Sequence, residues 1–224
     1  MIKKIKYLLT DRLIINFLHI FGGDAFASLL SIFSISFITK GIGLEKYGFI
    51  VLIQGIVSLI DGIFNFQSWQ GVIKFFPQVR EEKQKLKALI KFSYILDFFT
   101  ALIAFIIIFL SSFWIGKFYN FQSYEVYLLM FFSIYIIFNI QGTPIGILRS
   151  FDRFDYLRNQ RVIVALFNFI FLGIGYFLKL KINYFILIYL LTNILNAILL
   201  NFYALRELKR RKIYGVFKER LEFN

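Results

Sequence analysis

The chain has 224 residues, 59% of them hydrophobic and 21% aromatic, with a mean hydropathy of +0.71, which is too much apolar surface for one soluble core and makes lipid the expected solvent. A formal net charge of +13 would point to nucleic acid in a soluble protein, but here the basic residues fall between apolar runs. There is no cysteine and only one histidine, His19, which excludes a disulfide framework, a thiolate metal site and a histidine cluster.

A membrane-spanning helix needs about 20 apolar residues, and six stretches meet that length, at 15–39, 48–73, 89–113, 124–148, 162–178 and 182–205. The first is too long for a signal-peptide core and no small-residue cleavage site follows it, so it reads as a retained helix. Continuous apolar runs exclude the alternating strands of a membrane barrel. The expected fold is all-α, a polytopic bundle of six transmembrane helices over residues 1–205, with a basic tail over 206–224. The polar breaks run from Lys40 to Tyr47, Lys74 to Lys87, Gly116 to Ser123, Arg149 to Arg161 and Lys179 to Lys181.

Lysine and arginine divide sharply between the two ends of such a bundle. One end holds 21, in the segment before the first helix (Lys3, Lys4, Lys6, Arg12), the second break with Lys91 just after it, the fourth break and the tail; the other holds Lys40, Lys46, Lys117, Lys179 and Lys181. Positive loops are retained in the cytoplasm, so both termini are expected there. The same distribution argues against nucleic acid as a partner, because the charges serve every inner loop as topology determinants and contacts to anionic membrane lipids.

Polar residues inside the spans mark an interior that is wet or lined by protein. Asp24, Asp61 and Asp97 are the three carboxylates at that depth and the candidates for ion coupling. On the second helix Gln54, Ser58, Asp61, Asn65 and Ser68 recur at helical spacing and stack on one face. Shorter stripes lie on the first, third and sixth helices, and the fourth carries Tyr135, Asn139, Gly142, Gly146, Arg149 and Arg153 in one row. These stripes predict a shared hydrophilic cavity that takes Asp61, while Asp24 and Asp97 fall near the inner third of their spans, where a carboxylate is tolerated structurally, and the serines, Asn193 and Asn196 read as packing contacts between helices. His19 reads as a packing histidine.

Pro144 falls inside the fourth span, where it should free the carbonyl of Ile140 and bend the helix between Gly142 and Gly146. The bend is equally consistent with a hinge at Pro144 and Gly142 and with a static kink. No Ser-His-Asp set, phosphate loop or metal-spaced cluster occurs in the sequence, so no catalytic residue, metal site or cofactor is assigned, and an enzyme is the weaker class. Glu81, Glu82 and the run Arg149 to Asp155 are expected to form solvated salt pairs.

Two stretches resemble the oligosaccharide flippase family, the polysaccharide biosynthesis membrane proteins of the multidrug/oligosaccharidyl-lipid/polysaccharide exporter superfamily. The first is Gly43-Leu-Glu-Lys-Tyr-Gly48 with Phe66-Gln-Ser-Trp-Gln-Gly-Val-Ile-Lys74, at the outer turn after helix one and the inner end of helix two. The second is Pro144-Ile-Gly-Ile-Leu-Arg-Ser-Phe-Asp-Arg-Phe154, which is similar to the pattern closing helix four. The resemblance runs from about residue 10 to 210 and implies translocation of a lipid-linked oligosaccharide, on an undecaprenyl pyrophosphate carrier, across a bacterial cytoplasmic membrane for O-antigen, lipopolysaccharide, capsule or exopolysaccharide assembly. It also implies alternating access between two six-helix lobes around a cationic cavity.

Lys74, Arg149 and Arg153, with Asn139, are then candidates for substrate binding, although each cation equally serves as a topology-setting loop charge. Six helices correspond to an amino-terminal lobe, with 206–224 as the start of an inter-lobe linker. Either the chain is a fragment of a longer protein, or a second lobe is expected as a homodimer or a separate chain. Two rival expectations are a small-solute or drug exporter of the same superfamily, and a non-transporting scaffold that binds glycan-assembly enzymes.

Overall fold

The computed structural model describes residues 12–218; Lys3, Lys4, Lys6 and Arg220 lie outside the described residues, as do the side chains of Arg12 and His19. Its helices are α1 (Arg12–Ile42), α2 (Leu44–Phe64), α3 (Ser68–Val79), α4 (Lys83–Phe118), α5 (Ser123–Ser133), α6 (Tyr135–Phe138), α7 (Gly142–Ser150), α8 (Phe154–Phe177) and α9 (Ile182–Arg210), with a 3₁₀ turn at Val216–Lys218. Six helical stretches are long and apolar enough to cross a membrane: Ile20–Ile42, Leu44–Val79, Lys83–Phe118, Ser123–Ser150, Phe154–Phe177 and Ile182–Arg210. The protein is an all-helical membrane bundle, as its composition requires.

The second and fourth spans are not continuous helices, which corrects the expected single rows of side chains along them. Between α2 and α3 the Asn65 Oδ1 accepts the Gln67 N–H at 2.8 Å, and Gln67 takes a left-handed conformation at φ 50°. Asparagine competes with the helical ladder in this way, so Asn65 turns the chain and Ser68 leaves the α2 stripe. Between α6 and α7 the residues Asn139, Ile140 and Gln141 are non-helical. The Ile140 carbonyl, one turn before Pro144, accepts the Asn201 Nδ2 at 2.8 Å. Pro144 itself lies in the first turn of α7, where its missing N–H breaks no ladder bond.

Two boundaries also move. Helix α8 begins at Phe154 and not at 162, so Arg158 and Arg161 are helical residues and not loop charges. Helix α9 runs through 205 to Arg210, and Glu207, Leu208, Ile213 and Val216 beyond that point are buried against the bundle. At about 1.5 Å per residue the 36 residues of α4 extend roughly 54 Å, well beyond a hydrocarbon layer of about 30 Å.

Two apolar clusters form the core, one at each end. The cluster at the lysine-poor end includes Ile53, Val57, Ala104, Ile108, Phe132 and Phe185. The cluster at the basic end includes Val72, Leu86, Ile90, Ile147, Leu200 and Leu208. The second to sixth spans pass from one to the other through polar residues: Asp61 and Ser68, then Asp97, then Asn139 to Thr143, then Gln160, then Asn196. A polar layer therefore divides the bundle at the level of the two breaks. With no water released between helices in lipid, close packing holds them together. At Gly146 an added Cβ would lie 2.8 Å from Val72 Cβ and 3.1 Å from Trp69 Cα, so its missing side chain is what lets α7 press against α3. Helix α1 lies mainly along α8 and touches α2 far less.

Candidate functional site

The polar layer is joined by a directional chain of side-chain amides. Gln160 Nε2 on α8 donates to Asn196 Oδ1 on α9; Asn196 Nδ2 donates to Gln141 Oε1 at 2.7 Å; Gln141 Nε2 donates to Asn139 Oδ1; and Asn139 Nδ2 donates to Asp61 Oδ2 at 2.8 Å. Every link has its nitrogen on the donating side, as a chain ending on a carboxylate acceptor requires. Asp61 is thereby tied to Asn139 across the break in the fourth span, which joins an ion-coupling candidate to a substrate candidate.

Asp97 occupies a second position at the same break. Its Oδ2 accepts the Thr143 N–H at 2.7 Å, and the Thr143 hydroxyl lies 3.3 Å from Ser68 Oγ. The first amides of a helix have no intrahelical acceptor, and a carboxylate there also meets the positive end of the helix dipole. Asp97, only 7% exposed, caps α7 from the third span. Gly142 makes this approach fit: an added Cβ would collide with Ser68 Oγ and lie 3.0 Å from Asp97 Oδ1.

On the far side of the amide chain lie two cavities that share Gln160, Arg161 and Asn196. One, of about 210 Å³, is further lined by Gln141, Arg149 and Leu200. The other, of about 340 Å³, lies between α1, α8 and α9 and is lined by Asp24, Ser31, Ser34, Asn168, Thr192 and Asn193. The Arg149 guanidinium lies 4.8 Å from the Trp69 ring, and its Nε is buried without a hydrogen-bond partner. Arg161 pairs with Asp24. The cavities thus combine cations, one carboxylate and several amides, a set suited to anionic and hydroxylated ligands.

Not every residue singled out from the sequence reaches this place. Lys74 is exposed on α3, with its ammonium 5.5 Å from the Phe75 ring, and lines neither cavity. Arg153 is 15% exposed and holds Asp155 through Nε at 2.8 Å and Nη2 at 2.6 Å, and Glu207 through Nη1 at 2.6 Å. The Asp155 hydrogen bond is the first cause that keeps its pKa above the ordinary guanidinium value. Glu207 is 2% exposed and also accepts Arg211 Nε at 2.7 Å. Within the run from Arg149 to Asp155, Arg153 and Asp155 are therefore tied into an ion network around the buried Glu207 and are not a solvated pair, whereas Arg80 with Glu81 and Lys85 with Glu82 are exposed pairs of the expected kind. Gln141, Gln160 and Arg161 were not legible as site residues. The two glutamines belong to no stripe, and Gln160 and Arg161 precede the hydropathic start of their helix.

These features define a membrane protein of six spans, two of them broken around a polar interior. Residues 13–221 match the family described as polysaccharide biosynthesis protein, and the chain belongs to that family. It is 23% identical over 212 residues to the inner membrane protein YghQ of Escherichia coli (strain K12), across 88% of this chain and 56% of that protein. The chain thus spans little more than half the length of that relative. No solved structure matches it.

Proposed function

We propose that the chain is one lobe of a transporter that moves a lipid-linked oligosaccharide of the undecaprenyl pyrophosphate type across a bacterial cytoplasmic membrane, from the inner to the outer leaflet, for O-antigen, capsule or exopolysaccharide assembly. The observation that carries this reading is Arg149, whose Nε is buried and unpartnered beside Arg161, on a cavity walled by Gln141, Gln160 and Asn196. A pyrophosphate leaving water needs fixed cations to offset its desolvation, and amides suit the hydroxyls of a glycan. Family membership supports the same class of cargo.

In this reading the basic end faces the cytoplasm, following the charge asymmetry of the sequence. Lys74 serves as a first contact at the inner mouth, and Arg153 holds the mouth together through Glu207. Asp61 takes up the coupling ion, and its occupancy is felt at the cavity through Asn139, Gln141 and Asn196. The break before Pro144 is the hinge. A second lobe closes the path, whether it continues this chain, is another copy or is a separate chain: Asp24 is 51% exposed and Arg161 32% exposed although both lie within spans, and an ion pair left facing lipid is costly.

The test is transfer of a fluorescent undecaprenyl-pyrophosphate oligosaccharide between leaflets of proteoliposomes, with the chain alone and beside its second lobe. The expected result is transfer that Arg149→Gln lowers at least tenfold. Transport of small lipophilic cations without glycan transfer would favour the exporter alternative. Glycan assembly in cells that is indifferent to Arg149→Gln and Asp61→Asn would favour a scaffold.

A further inference from the structure

At the lysine-poor end, the α1–α2 turn, the start of α5 and the α8–α9 hairpin enclose a cleft of about 380 Å³. Of the 26 basic residues only five belong to this end, yet Lys46, Lys179 and Lys181 all line the one cleft. Among the described residues none of the three has a carboxylate within ion-pairing distance. The two carboxylates of this end do not line it: Glu45 lies in the first turn of α2, and Glu125 accepts the Gln122 N–H at 2.8 Å. Tyr124 donates its hydroxyl to Asn183 Oδ1 across the cleft.

Two of the lysines stand where local preference would choose another residue. Lys179 has φ 51° in the turn that ends α8, with Leu180 N–H bonded to the Gly175 carbonyl at 2.9 Å, a position that usually takes glycine. Lys181 is the N-cap of α9 and makes no side-chain cap, where Ser, Thr, Asn or Asp is preferred and where the helix end is already positive. A positive charge placed against both rules, beside two others and without a counter-charge, leaves an anion as the missing complement.

We propose that this cleft binds a phosphate-bearing anion, held by the three ammonium groups. On the orientation given above, on which only its sidedness rests, the cleft opens on the outer side. The phosphate can belong to a lipid headgroup or to a free anion, and the chemistry of recognition is the same.

The test uses native mass spectrometry of the 224-residue chain in phosphatidylcholine nanodiscs, with phosphatidylglycerol in one arm and inorganic pyrophosphate in the other. The expected result is a bound adduct in at least one arm, weakened about tenfold by combined Lys46→Gln, Lys179→Gln and Lys181→Gln and unchanged by Lys117→Gln. Adducts with phosphatidylglycerol alone identify a headgroup site, and adducts with pyrophosphate alone identify a free-anion site. No adduct in either arm, or equal adducts in wild type and the triple variant, overturns the proposal. Should the triple variant unfold, Lys46→Gln alone is expected to weaken binding about threefold, and no effect there is equally adverse. Because binding is read without transport, failed glycan transfer leaves this result standing. Labelling of Lys181→Cys in whole cells by an impermeant maleimide tests the sidedness separately, and labelling only after permeabilisation overturns the outward placement.

Discussion

The carboxylate of Asp97 on the third span accepts the backbone N–H of Thr143 on the fourth at 2.7 Å, so one helix caps a half-helix that begins inside the membrane. Removing the acceptor leaves the Thr143 amide buried without a partner, a loss of roughly 1.5–3 kcal/mol for a hydrogen bond to a charged group. Asp97→Ala is expected to lower the thermal unfolding midpoint in detergent more than Asp97→Asn, whose amide oxygen can still accept. Gly142→Ala should be destabilising as well, because its Cβ enters the space held by Ser68 Oγ and the Asp97 carboxylate.

The contact between α3 and α7 provides a paired comparison. Gly146→Ala forces a Cβ onto Val72 and the Trp69 backbone and should cost about 1–3 kcal/mol. Gly71→Ala, on the same α3 segment, meets nothing within 4 Å and should be neutral or stabilising by about 0.5–1 kcal/mol, since alanine is the better helix former. Midpoints measured on both variants in one detergent check the direction of each.

Asp61 and Asn139 are predicted to matter for transport more than for folding. Asp61→Asn removes the charge and keeps the shape, so glycan transfer should fall at least tenfold with a midpoint close to wild type. Asn139→Leu should also strand the Gln141 amide and reduce both transfer and stability. Equal transfer by wild type and Asp61→Asn in a proteoliposome assay would remove Asp61 from the coupling role.

The six spans were legible because hydropathy over helical lengths is a strong signal in a lipid solvent. The breaks were half legible. Pro144 announced the one in the fourth span, including the freed Ile140 carbonyl, whereas by periodicity Asn65 is one more residue of a polar stripe. Its role as the turn former depends on the Gln67 amide two residues on, which periodicity does not weigh. Of the candidate site, Asp61, Asn139 and Arg149 could be found as polar residues in apolar runs. Gln160 and Arg161 could not, because hydropathy starts α8 eight residues late. Nor could the sequence reveal that Asp97 serves a helix end 46 residues away.

Glu207 belongs to the basic segment after residue 205, and its burial against Arg153 and Arg211 leads to another test. Breaking a buried ion pair by removing one partner typically costs about 3–5 kcal/mol. Glu207→Gln should loosen the segment after α9 and speed trypsin cleavage within Lys209 to Lys212 several-fold, while Arg153 keeps Asp155. Unchanged cleavage would mean that Ile213 and Val216 anchor the segment without the ion network.

Binding of the charged head of a glycan lipid in the cavities beside the amide chain, as proposed, is directly measurable because the sequence contains no cysteine. Single cysteines at Gln160, Asn196 and the lipid-facing Ile106 would be timed against a hydrophilic methanethiosulfonate reagent in proteoliposomes, with and without an undecaprenyl-pyrophosphate oligosaccharide. The expected result is fast labelling at Gln160→Cys and Asn196→Cys, slow labelling at Ile106→Cys, and protection of the first two by the glycan lipid. Labelling of all three at the slow rate, or fast labelling that the glycan lipid leaves unchanged, would contradict it.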